Sequence, residues 1–207
     1  GYSSAASDVY KRQSWVPVNR MLIADQCLLT NVSWDDLNAH NLVFGKEITL
    51  GGFRFTVRLL QVGAEKDEPN EWDAALDAVG EDDSIWHWKD AYFGVQDPGK
   101  IGSYRAYRGY NSARYWGSRS SGYRNASLGF RPALVPLNTK HQDEIRIGEQ
   151  LRLWGGQSIV SGRLEEISDY EMVLSDWDGT LFGDFGSRIS DGRIVIDQGA
   201  IAGAQRI

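Results

Sequence analysis

The sequence predicts an α+β architecture followed by a small all-β domain, and three observations lead there. Two segments combine a helix-start signal with an apolar stripe at helical spacing. One pair of segments shows the alternation of a half-buried hairpin. The C-terminal third breaks into short β-type runs separated by turn dipeptides.

Taken in order, Arg20–Leu29 reads as a buried strand. Ser33 can then cap the amide three residues on, with Asp36 at the reciprocal capping-box position and Val32 and Leu37 as the staple around it. Trp34 and Leu37 share one face of the short helix this begins, which runs to about His40. Lys46–Leu50 and Phe53–Leu60 flank Gly51-Gly52, a pair suited to the positive φ values of a two-residue turn. In the second arm Phe53, Phe55, Val57 and Leu59 alternate with Arg54, Thr56 and Arg58, so one face is buried. Asn70 suits the N-cap of a second helix and Gly80 its stop, with Trp72, Leu76 and Val79 as the buried stripe. Gly80–Asp90 reads as an acidic turn followed by Trp86 and Trp88 around His87, and 94–103 as a Gly/Pro loop.

Asn138–Glu144 is polar and reads as a linker. Beyond it Leu151–Trp154, Ser158–Ile167, Tyr170–Ser175, Leu181–Phe185 and Arg193–Asp197 read as strands of a small barrel or sandwich over 145–207. Ser3–Gln13, SSAASDVYKRQ, is similar to the in-frame translation of a transposon-type sequencing adapter. Residues 1–13 are therefore set aside as an artefact or a polar leader, and the first domain is taken as 14–137.

Composition narrows the function classes. The formal net charge is −6, which argues against bulk nucleic-acid binding. A single cysteine, Cys27, rules out an internal disulfide framework and a cysteine-based zinc site; it reads as a buried thiol. No apolar run approaches the ~18–20 residues of a membrane span. Three histidines lie without metal-ligand spacing, and no Gly-rich phosphate loop is present. Neither a metal nor a cofactor is expected.

Tyr104–Asn125 is the most informative stretch. It holds five Tyr, five Arg, four Ser, three Gly and two Asn, and no Val, Ile, Leu, Lys, Asp or Glu. Tyr and Trp supply rigid, amphipathic contact area at low entropic cost, and Ser, Gly and Asn supply adaptable hydrogen bonds, as in an antibody paratope. Tyr110, Asn111, Tyr115, Trp116, Ser118, Arg119, Ser120, Ser121, Tyr123 and Asn125 are accordingly the candidate ligand-contacting residues.

The run from Arg105 to Arg131, with Arg108-Gly109, Ser112-Ala113-Arg114 and Gly129-Phe130-Arg131, resembles the C-terminal signature of the formylglycine-generating (sulfatase-modifying) enzyme group. Asn31–Asp36, NVSWDD, is similar to that group's helix start. The resemblance implies a C-type lectin-like fold, two helices around a small antiparallel sheet, over 14–137. It makes Arg108, Gly109, Arg114, Gly129, Phe130, Arg131 and Trp34 structural residues, the arginines paired with acids from the helices. The same scaffold carries the variable proteins of diversity-generating retroelements, and Arg20–Leu137 also looks like gut Firmicutes and prophage proteins ending in GFRP(A/V)L. The enzyme group's active cysteine pair has no counterpart, because Cys27 is alone. Glu68-Pro69-Asn70 matches the calcium and sugar tripeptide of mannose-type lectins, but reads better as the start of the second helix. The expectation is non-catalytic recognition of a protein or carbohydrate on a cell or phage surface. A divergent enzyme of the group and a structural surface module are the alternatives; for the enzyme, His87 is the candidate base.

Overall fold

The computed structural model of the chain describes residues 14–65, 68–99, 101–137 and 144–207. The chain divides between Val135 and Pro136 into two compact units.

In the first unit two five-stranded sheets form. One has the order β1 (Trp15–Val18), β2 (Met21–Ala24), β10 (Ala133–Pro136), β5 (Phe53–Arg58), β4 (Lys46–Leu50). The other runs β3 (Leu29–Thr30), β9 (Leu128–Phe130), β6 (Tyr92–Pro98), β7 (Tyr104–Gly109), β8 (Trp116–Ser120). In this second sheet β6 and β9 are parallel and the other pairs antiparallel. Among the described residues three helices accompany them: α1 (Trp34–Ala39), α2 (Glu71–Val79) and the single turn α3 (Asp83–Trp86).

Strand makes up 45% of the chain and helix 14%, in three sheets, so the protein is mostly β. That overturns the expected α+β, C-type lectin-like fold: no pair of helices encloses one small sheet. Both helices start where the sequence predicts them. Ser33 accepts from the Asp36 amide and the reciprocal capping-box bond is present, and Asn70 accepts from the Asp73 amide. The difference lies in segments whose composition predicts loops or bare surface. Tyr92–Pro98, Tyr104–Gly109 and Trp116–Ser120 are strands, although glycine, serine and arginine interrupt the strand-forming Tyr, Phe, Val and Trp in them. Backbone pairing, which uses main-chain groups common to nearly all residues, outweighed that weak side-chain signal.

The core gathers where the sheets meet the helices. Trp72 packs edge-on against Trp86, ring centroids 5.0 Å apart, and against Phe93 at 4.8 Å. Both indoles have their N–H satisfied, Trp72 donating to the Ala113 carbonyl and Trp86 to the Gly80 carbonyl, each at 2.8 Å. Arg131 is fully buried among them. It donates to the carbonyls of Ala24 (3.1 Å), Asp25 (2.8 Å) and Trp86 (2.7 Å), and its guanidinium lies over the Trp72 and Phe93 rings. Arg108, also buried, is bonded to Asp73 of α2. The Gly51-Gly52 turn has φ of 58° and 85°, the left-handed pair that sequence alternation required of it.

The second unit is one six-stranded sheet in the order β14 (Gly186–Arg188), β15 (Ile194–Asp197), β13 (Glu171–Thr180), β12 (Ser158–Ile167), β11 (Gln150–Gly155), β16 (Gly203–Arg206). Leu151, Leu153, Val160, Leu164, Met172, Leu174, Ile194 and Ile196 alternate into its core. The segment expected as a strand at Leu181–Phe185 instead contains a 3-10 turn at Gly183–Phe185. The proposed linker falls largely outside the described residues, as do residues 1–13.

Candidate functional site: a tyrosine-lined cavity

Strand alternation sorts Tyr104–Asn125 into two faces. On β7, Ala106 and Arg108 point to the core, so Arg105 and Tyr107 point outward. Across the ladder Tyr107 faces Gly94 of β6 and Gly117 of β8, while Arg105 faces Arg119. Tyr92 of β6 shares the outer face, between Gly109 of β7 and Leu128 of β9. Glycines thus flank the tyrosine rings. A Cβ on Gly117 would stand 2.6 Å from Tyr107 Cζ, so the phenol ring lies directly over that glycine.

Onto this face the connecting loops add further rings. Tyr110 follows β7 with φ +65° and its amide donates to the Trp88 carbonyl. Tyr115 sits in the turn before β8 and Tyr123 in the turn after it. Tyr92 stacks with Tyr107 (5.0 Å), Tyr110 (4.7 Å) and Tyr115 (5.6 Å), and Tyr107 with Tyr115 (6.1 Å). Together with Arg119, Tyr123, Asn125, Ser127 and Leu128 these rings line a cavity of about 190 Å³. Tyr107 is its buried floor, whereas Tyr110 and Tyr123 are 41% and 39% exposed at its rim. Burial, and then the neighbouring Tyr115 phenol, push the Tyr107 pKa up to about 12.

The loop closing the cavity is held from outside. Arg124 grips the Asp36 carboxylate through Nε (2.7 Å) and Nη2 (2.6 Å), and Ser121 Oγ donates to Asp35 at 3.1 Å. Asp36 also serves the Ser33 cap, so one carboxylate ties the start of α1 to the loop; the Arg124 bonds, and then those from Ser33, hold it well below the usual carboxylate range. Inside the loop Asn125 donates to the Tyr123 hydroxyl (3.2 Å) and accepts from the Ser127 amide (2.8 Å). Helix α1 adjoins the remainder of this face: Trp34 Nε1 donates to the Val95 carbonyl at 3.1 Å, and the Arg105 guanidinium lies 4.3 Å from the Trp34 ring centroid. Between them runs a small crevice shared with Tyr107, Arg119 and Tyr123.

Of the residues singled out in the sequence, Tyr110, Tyr115, Arg119, Tyr123 and Asn125 converge on the cavity, and Ser120 and Ser121 line the crevice. Asn111 is exposed outside both. Trp116 and Ser118 take the opposite face: Trp116 pairs with Arg108 in register and packs on the core, and Ser118 sits opposite Ala106. Among the residues expected to be structural, Arg108, Gly109, Gly129, Phe130 and Arg131 are buried. Trp34 is half-buried, and Arg114 is partly exposed but bound to Asp77 and Glu81 of and beyond α2, each at 2.6 Å. Sequence reasoning missed Tyr92, Tyr107, Ser127 and Leu128 as lining. The available signal was the alternation of Phe93 and Val95, which leaves Tyr92 on the other face.

Elsewhere a larger open cavity of about 680 Å³ lies beside Pro69 and Asn70. Its carboxylates are committed: Glu71 receives Arg58 and the Gln61 amide, and Asp97 the Val62 amide. His87 ends α3 in a left-handed conformation, 4.0 Å from Asp25, and lines none of these three cavities. Among the described residues no group of three or more His, Cys, Asp or Glu could hold a metal ion, and no helix is long and apolar enough to cross a membrane. Comparison of the chain with protein-family models, with curated proteins and with solved structures finds no match.

Proposed function

We propose that the protein is a non-catalytic recognition protein whose binding site is the tyrosine-lined cavity of the second sheet. One observation carries this reading: Tyr92, Tyr107, Tyr110, Tyr115 and Tyr123, drawn from two neighbouring strands and the loops on either side of the next, meet with Arg119 and Asn125 around a single concavity. Aromatic rings in a recess offer apolar contact area, and their hydroxyls fix orientation, which is what a specific pocket needs. Pinning of the rim loop by Arg124 and Ser121 limits the ordering cost on binding. The cavity lining contains no carboxylate, histidine or cysteine; its ionisable side chains are tyrosines and Arg119.

The arrangement also supports diversification of the segment by a retroelement. Tyr110, Asn111, Arg119, Ser120, Tyr123 and Asn125 are exposed, while the interspersed Arg108, Gly109 and Ala113 are buried, so the outward codons can vary without disturbing the core. A reverse-transcriptase gene beside a near-copy of the codons for residues 104–131, differing where the copy has adenine, is the genomic signature expected; a complete contig without one rejects diversification.

Recognition itself is tested by screening the chain against a panel of glycans and peptides. Simultaneous replacement of Tyr110, Tyr115 and Tyr123 by Ala should abolish the binding found while moving the melting temperature by only a few degrees. Retained binding in that triple variant, or no binder in the panel, refutes the reading.

A further inference from the structure

The chemistry of the cavity identifies a ligand class. Of the five arginines in Tyr104–Asn125, Arg108, Arg114 and Arg124 are bound to carboxylates. Arg105 is stacked on Trp34 and donates to the carbonyls of Gly102 and Tyr104. Arg119 differs. Among the described residues it has no carboxylate partner, its guanidinium lies 5.8 Å from the Tyr123 ring centroid, and it lines both the cavity and the adjoining crevice. Neither lining includes an Asp or Glu, in a chain whose net charge is −6. Arg119 also stands directly across the ladder from Arg105, and like charges so placed are unfavourable until an anion lies between or beside them.

Size and shape narrow the choice further. A space of about 190 Å³ lies below the ~300 Å³ at which pockets for drug-sized ligands begin. It accepts one compact ring rather than a stretch of peptide. The ring walls are mutually inclined by 38–77°, so a ligand entering meets ring faces on more than one side together with phenol hydroxyls. A pyranose matches that mixture, with an apolar C–H face and a rim of hydroxyls. Asn125 and Ser127 add amide and hydroxyl partners.

We infer that the cavity, taken as the recognition site proposed above, binds a carboxylate-bearing sugar residue, with the carboxylate on Arg119 and the sugar ring against Tyr115 and Tyr107. Planar, forked recognition of a carboxylate is the task for which guanidinium is better suited than ammonium. Replacing Arg119 by Lys should therefore weaken the acidic ligand, and replacing it by Gln should weaken it more.

The test uses the full chain and two matched pairs of probes: D-galacturonic acid oligomers against D-galactose oligomers, and sialyllactose against lactose, by isothermal titration. The acidic member of at least one pair should bind roughly ten- to a hundredfold more tightly, the scale of one charge-assisted contact. Arg119→Gln should remove that preference by weakening the acidic member at least tenfold more than its neutral counterpart, and raised salt should narrow the gap in the parent. Arg119 is exposed and without an ion pair among the described residues, so near-ultraviolet dichroism of the variant should match the parent. Equal binding of acidic and neutral members, with loss on Tyr115→Ala, overturns the acidic assignment and leaves tyrosine-based recognition standing. Binding of acidic peptides with no sugar bound, or an acid preference that survives Arg119→Gln, also overturns it. If no probe binds and the peptide and glycan panel is empty as well, both readings fall together.

Discussion

Two glycines beside the same tyrosine should respond in opposite ways to the same substitution. Gly94 and Gly117 are the cross-strand partners of Tyr107 on the outer face of the second sheet. Built onto Gly117, a Cβ would lie 2.6 Å from Tyr107 Cζ, 2.7 Å from its hydroxyl and 3.0 Å from Cε2; built onto Gly94, it meets nothing within 4 Å. Neither glycine has a positive φ, so alanine strains the backbone at neither. Gly117→Ala must push aside a rigid ring already packed against Tyr92 and Tyr115. Overpacking of that kind costs about 1–3 kcal/mol. Gly94→Ala restricts the unfolded chain and should be neutral or stabilise by about 0.4–1 kcal/mol. Urea unfolding followed by tryptophan fluorescence measures both, and ~4 °C of melting temperature per kcal/mol is the expected thermal counterpart. A second readout follows Tyr107 itself. Its pKa is pushed up to about 12, so the folded protein keeps a proton that an ordinary phenol near 10 has lost. The stability this represents is complete below about pH 10 and is lost as pH rises toward 12. Tyrosinate absorbance at 295 nm should therefore show the late titration of Tyr107 in the parent and in Gly94→Ala, and its shift toward 10 in Gly117→Ala. Equal stability of the two variants, with an unmoved alkaline titration, would refute the placement of the Tyr107 ring and with it the cavity floor.

Other expectations follow from the same packing. Arg131→Met leaves two buried carbonyls, of Ala24 and Trp86, and the part-buried Asp25 carbonyl without this donor, at about 1–3 kcal/mol for each buried group, so the first unit should lose more than ~2 kcal/mol in urea; a smaller loss means the guanidinium is not the hub described. Ser33→Ala removes the cap of α1 and should lower stability by about 1 kcal/mol, and an unchanged midpoint would discount the capping box. Trp116→Ala should destabilise the first unit by about 2 kcal/mol while sparing ligand affinity, the reverse of Tyr123→Ala; loss of affinity without loss of stability would return Trp116 to the binding face. Asp36 titrates low because Arg124 and Ser33 bond its charged form, so its contribution is present above the ordinary carboxylate pKa and lost as pH falls through the depressed value. Arg124→Gln should raise that pKa toward the ordinary range in a carboxyl-carbon NMR titration, and an unmoved titration would sink the loop tie.

Local features of this chain were legible without coordinates because each rests on neighbours in sequence. Ser33 with Asp36, Asn70 before Glu71, and Gly51-Gly52 between alternating arms determine where α1 and α2 start and how β4 turns into β5. The unusual composition of Tyr104–Asn125 likewise marked the segment that supplies most of the cavity. What tertiary structure decided was pairing and face. The backbone of Tyr92–Pro98 became a strand because β7 and β9 lie on either side of it, a fact that no short window of sequence contains. Pairing then set which tyrosines share a side: the two-residue period sends Tyr107 and Arg119 outward and Trp116 inward, and joins them to Tyr92, which composition never flagged. The same long-range ladders turned an expected two-helix fold into a mostly β protein, since hydrogen bonds between distant strands depend on backbone groups common to nearly all residues and leave little trace in side-chain identity.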